Sequence, residues 1–176
     1  MDQAVSANVE IASGKLSGAG RDGVLRFNGV PFAKPPVGPL RWRLPEPVEP
    51  WAGVRDATRF GNIAPQVASA SGAVLGGTPG TRSEDCLYLN VQTPGCDDAR
   101  RPVMVWIHGG AFNTGAGSVG TYSGKFLVPR GDLVLVTINY PPGRLRLPQS
   151  RGTRRTASCR ARARRGWPTR SRRWPG

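Results

Sequence analysis

One histidine, His108, stands in a chain of 176 residues that has only three cysteines and two methionines. Cys86, Cys96 and Cys159 are odd in number and have no metal-ligand spacing, which excludes a disulfide framework and a zinc site and leaves free thiols. No run reaches the roughly 18 apolar residues of a membrane span, and no basic start leads into an apolar stretch. The chain therefore reads as soluble and cytoplasmic, with no membrane partner. From Pro141 to Gly176 acidic residues and lysine are absent. That segment holds 12 of the 25 basic residues, all arginine, which leaves 13 basic against 11 acidic residues in the first 140. Of the formal charge of +14, +12 belongs to the tail, over a nearly neutral body at +2.

In the body, residues 8 to 32 are short alternating runs punctuated by glycine, the pattern of hairpin-linked antiparallel strands. Prolines crowd Ala33 to Pro50 and predict an extended loop, because each removes a backbone donor. Leu87 to Val91 predicts a strand. Val103–Ile107 and Leu133–Ile138 are continuous apolar, β-branched-rich runs, which predict strands buried on both faces of a parallel sheet. Between them, Gly109 to Gly120 reads as glycine-rich loop and Thr121 to Arg130 as room for one short helix. Several strands with almost no helix to cover them give an incomplete α/β architecture. Ala68 to Gly80, rich in Ala, Ser and Gly, reads as a mobile surface loop with no chemistry.

Chemistry concentrates in Trp106-Ile-His-Gly-Gly-Ala-Phe-Asn-Thr-Gly115, where a buried strand opens into a loop. Paired glycines let the backbone approach a ligand with amide hydrogens free to point at it. Acyl transfer passes through a tetrahedral oxyanion, and each preorganised donor aimed at it contributes about 2.7–4 kcal/mol. His-Gly-Gly-Ala after a strand is of the oxyanion-hole kind. A plain glycine turn is the alternative.

Several blocks in order resemble the type-B carboxylesterase family, which includes the cholinesterases. Gly29 to Trp42 resembles its early proline-rich block, continued by Trp51 and Phe60-Gly61. Ser83-Glu-Asp-Cys-Leu-Tyr-Leu-Asn-Val91 is similar to a family signature, with Glu84, Asp85, Cys86, Leu87, Tyr88, Leu89 and Asn90 at its centre. Pro102 to Phe112 is similar to the oxyanion block, and Val136-Thr-Ile-Asn-Tyr140 to the following strand. The resemblance implies an α/β-hydrolase fold, represented by its N-terminal antiparallel strands and the first strands of the central sheet. It implies serine-dependent hydrolysis of a small carboxylic ester, with no metal or organic cofactor. The amides of Gly109 and Gly110 would be oxyanion donors, with His108 and Ala111 supporting the loop. Glu84 and Asp85 would be structural, with Arg41 as a partner. Cys86 occupies one end of a disulfide found in secreted relatives, but Ala64 stands where its partner would be.

No Gly-x-Ser-x-Gly occurs; Ala116-Gly-Ser-Val-Gly120 comes closest and has alanine first. The one histidine belongs to the oxyanion block, so no triad of serine, histidine and acid is present, and the chain is expected to be an inactive, truncated fragment. Two domains follow: residues 1–140, esterase-like, and residues 141–176, a disordered Arg-rich tail. Where the family continues Arg-Leu-Gly-Ala-Phe-Gly-Phe-Leu, this chain has Pro141 to Pro148. The genetic code permits CCG CCT GGG CGC CTT CGG CTT CCT for those eight residues. Read one base later, they spell the first seven of the family string and begin a leucine codon. Read the same way, Trp167 to Arg170 allows Gly-Leu-Leu-Asp, and the expectation is a one-base frameshift after Tyr140 as the origin of the tail. Two alternatives differ in class: a non-catalytic binding or adhesion relative, and an evolved arginine arm for nucleic acid. The tail has no aromatic pattern beyond Trp167 and Trp174, which argues against a specific nucleic-acid partner.

Overall fold

The computed structural model describes residues 5–66 and 80–140. The expected surface loop at 68–80, almost entirely, and the Arg-rich tail with Cys159 lie outside these residues.

Seven strands make one mixed sheet: β1 (Val5–Ile11), β2 (Gly14–Arg21), β3 (Val24–Pro31), β4 (Val54–Asp56), β5 (Tyr88–Thr93), β6 (Val103–Ile107) and β7 (Val134–Ile138). Their order is β1-β2-β3-β5-β7-β6, and β4 pairs with β2. The expected N-terminal hairpins are present. β1 and β2 run antiparallel from Val5 opposite Gly20 to Ile11 opposite Gly14. Asp22 and Gly23, with φ of 55° and 69°, turn β2 into β3. Both central residues of this two-residue turn are left-handed, as a type I′ hairpin requires, and Asp-Gly accepts that conformation. β4 lies parallel to Lys15–Ser17, beside the place where β3 pairs with Ala19–Arg21.

β5 pairs antiparallel with β3 on one side and β7 on the other, while β6 and β7 are parallel in a register running from Val103–Val134 to Ile107–Ile138. The β3–β5 register shifts between Phe27 and Val30, and there the Asn90 side chain takes the Gly29 amide at 3.0 Å. Proline-rich residues 33–50 form an extended loop whose one helical piece is the 3-10 turn Gly38–Leu40. The helix expected between 121 and 130 appears as a 3-10 turn, Gly120–Tyr122, and a short helix α1, Leu127–Gly131.

Three apolar clusters hold the sheet. Leu16, Phe27, Val30 and Ala57 gather beneath β2 and β3, with Trp51 and Leu89 against them. Ala33, Ala64, Cys86 and Leu87 form a second. Val128 of α1 closes over Val24 and Leu135 to form the third.

The burial expected for Val103–Ile107 does not occur. These residues form a strand, but all five are exposed, from 40% at Met104 to 64% at Ile107. β6 is the last strand of the sheet, so only one edge is paired, and the small α1 covers Val24 and Leu135 instead. A continuous apolar run suits a strand covered on both faces. Here the described residues supply no cover.

Candidate functional site

β6 ends at Ile107, and the chain turns through residues 108–119 before the 3-10 turn at Gly120. Ala111 and Phe112 have φ of 51° and 59°, and the glycines on either side, Gly110 and Gly115, have 119° and 117°. The Gly110 carbonyl accepts from the amides of Asn113 (2.9 Å) and Thr114 (3.1 Å), which closes a tight turn. No hydrogen bond joins the amides of Gly109, Gly110 or Ala111 to another described residue. Three successive N–H groups beside a strand end are therefore without a partner among the described residues, and such groups can donate to a negatively charged oxygen.

The loop is tied down along its length. Gln66 binds Gly115 twice, accepting its amide at 2.7 Å and donating to its carbonyl at 2.9 Å. Asn139 accepts the Gly117 amide at 2.7 Å and donates to the Asn62 carbonyl at 3.0 Å. Thr137 donates to the Gly117 carbonyl at 2.7 Å and accepts from Asn90 at 3.0 Å. A buried relay therefore runs from the Gly29 amide through Asn90 and Thr137 to Gly117. Gln92 takes the Gly124 amide at 2.8 Å just beyond. Buried polar groups fully satisfied in this way rigidify what they touch.

His108 is buried, with its ring stacked on Tyr140 at 4.1 Å between centroids. Its Nδ1 lies 2.8 Å from the Gly109 carbonyl, while the Tyr140 hydroxyl donates to its own carbonyl at 2.8 Å. Burial lowers its pKa from the ordinary histidine value, against a weaker upward pull from the Gly109 carbonyl. No serine or carboxylate is bonded to the ring among the described residues.

The sequence model of the Carboxylesterase family matches residues 5–145. The chain belongs to the carboxylesterase family. Its similarity to a phenmedipham hydrolase of Pseudarthrobacter oxydans is 47% identity over 135 residues, 76% of this chain and 27% of that protein. To the para-nitrobenzyl esterase of Bacillus subtilis it is 47% over 130 residues, 74% of this chain and 26% of that one. Among solved structures, a PNB esterase superposes with a TM-score of 0.73 at 44% identity, covering 79% of this chain and 28% of the esterase. A Geobacillus stearothermophilus carboxylesterase gives 0.69 at 44% identity, covering 77% and 26%. The chain thus spans about a quarter of the length of these relatives, and its fold is the N-terminal part of the α/β-hydrolase esterase fold.

Within this carboxylesterase-family chain the signature residues do different work. Arg41 holds Glu84 through Nε at 3.1 Å and Nη2 at 2.5 Å, the partnership expected from sequence. Asp85 accepts from the Tyr88 hydroxyl at 2.9 Å; burial first, then this bond, pushes the Tyr88 pKa up to about 12. Cys86 is a free, fully buried thiol beside Ala64, raised to about 12 chiefly by burial and then by Asp85 and Glu84. Leu87 is buried beside them, and Leu89 packs under the sheet. Cys96 is free and exposed. Of the signature, Asn90 alone is bonded into the relay that reaches the loop. Gln66, Thr137, Asn139 and Tyr140 escaped sequence reasoning as site residues, because nothing local marks a polar side chain that will meet a distant loop.

Proposed function

We propose that this chain carries the oxyanion-stabilising part of a serine carboxylic ester hydrolase. The observation that supports it is the run of amides at Gly109 and Gly110 without a partner among the described residues, in a loop held by Gln66, Thr137, Asn139 and His108 in a chain of the carboxylesterase family. The amides of Gly109 and Gly110 donate to the substrate carbonyl oxygen as it gains charge, and Ala111 continues the loop. Because the loop is already anchored, the donors need no rearrangement when that charge appears. The substrate is a small carboxylic ester. His108 does not serve as the base, because its ring is buried and no serine or carboxylate is bonded to it among the described residues.

Alone, the chain turns over no ester. Enzymes of this kind accelerate reactions by about 10⁶–10¹⁷-fold through an activated nucleophile, and with no nucleophile and base no tetrahedral intermediate forms for the loop to stabilise. Residues 1–140 are the esterase-like unit, and residues 141–176 are out-of-frame sequence. Incubating the purified protein with an activated aryl ester tests the first statement: the expected rate equals that of buffer. Hydrolysis that disappears when Gly109 is replaced by a bulky residue would overturn it. Resequencing the gene tests the second, and an unshifted frame with a tail peptide found by mass spectrometry would refute it.

A further inference from the structure

The Nε2 atom of His108 is buried and has no hydrogen-bond partner among the described residues. The other ring nitrogen faces the Gly109 carbonyl, which only accepts, so Nδ1 must carry the proton. A proton on Nε2 as well would place a cationic N–H in a buried position without an acceptor, which costs far more than leaving a lone pair there. The ring is therefore neutral, and in the Nδ1–H form.

This fixes more than the ring. The Gly109 carbonyl and the Gly110 amide belong to one trans peptide, so they point in opposite directions. Drawing the carbonyl toward the imidazole turns the Gly110 N–H away from it. Tyr140, the last described residue after β7, supplies the reference frame, with its ring against the imidazole and its hydroxyl on the His108 carbonyl. Gly115 seals the other side, where a Cβ would collide with Nδ1 and the Gly109 oxygen.

We propose that His108 is a positioning residue: as the neutral Nδ1–H tautomer clamped by Tyr140, it sets the direction in which the Gly110 amide is presented. The assignment rests on the reading of that amide as an oxyanion donor, but its test does not pass through turnover.

His108 is the only histidine, so labelling the full chain with ¹⁵N-histidine gives one imidazole to read, in solution or under magic-angle spinning. The expected spectrum shows a protonated Nδ1 and an unprotonated Nε2 at neutral pH. An Nε2–H tautomer, or a protonated ring, would overturn the proposal. In His108→Phe a planar ring is retained and the donor is lost. The Gly110 amide resonance should then shift while strand resonances stay in place, and an unmoved Gly110 resonance in the folded variant would also overturn it. Absence of ester hydrolysis in a chimeric enzyme, with these spectra as expected, would instead count against the oxyanion reading alone.

Discussion

Gly109 and Gly115 lie in one loop and meet opposite constraints. A Cβ built on Gly109 has nothing within 4 Å, whereas at Gly115, with φ of 117°, it would strike His108 and the Gly109 carbonyl. Gly109→Ala should change stability by no more than about 0.5 kcal/mol, and Gly115→Ala should cost about 1–3 kcal/mol, both read from urea midpoints. The relay gives a second comparison: Thr137→Val leaves the Gly117 carbonyl and the Asn90 amide without their partner and should cost about 1–3 kcal/mol by the same measurement. His108 adds a pH dependence. Tyr140 is the titratable group packed on its ring, and the ring's native pKa is lowered by burial below the ordinary value of about 6.5. Its stabilising contribution is complete above that ordinary value and is lost as pH falls through the lowered native one. The ring resonances should accordingly show no protonation until pH is below about 6.5.

Strands β1 to β3 were legible because alternation, glycine punctuation and Asp22-Gly23 are local signals. β4 was not, being three residues after a proline-rich stretch and held by register with Lys15–Ser17. The loop after β6 was legible in His108, Gly109 and Gly110, but its anchors were not. Asn139 reaches Asn62 and Gln66 reaches Gly115 only after distant segments have met. β6 shows the reverse case, a strand legible as a strand whose exposure was not. Val105 is 54% exposed and Ile107 64% on a strand with one edge unpaired among the described residues, so self-association through this element is expected. Val105→Lys should shift the sedimentation velocity profile toward smaller species at equal concentration. An unchanged distribution would locate the association elsewhere.

For the molecule as a whole, the family match at residues 5–145 and the coverage of about a quarter of each relative identify the N-terminal part of an esterase fold, and the loop proposed to stabilise charge lies within it. The sheet, the Asn90–Thr137–Gly117 relay and the Tyr140–His108 clamp all converge on one loop. The most direct measurement is ester hydrolysis by a chimera in which residues 5–140 of this chain replace the matching segment of the Bacillus subtilis para-nitrobenzyl esterase. The chimera should hydrolyse its ester, and replacing Gly109 by leucine should lower kcat by about 10²–10³-fold while the fold is retained. A folded chimera without activity, or one whose kcat is indifferent to the Gly109 substitution, would contradict the assignment of this loop as the oxyanion site.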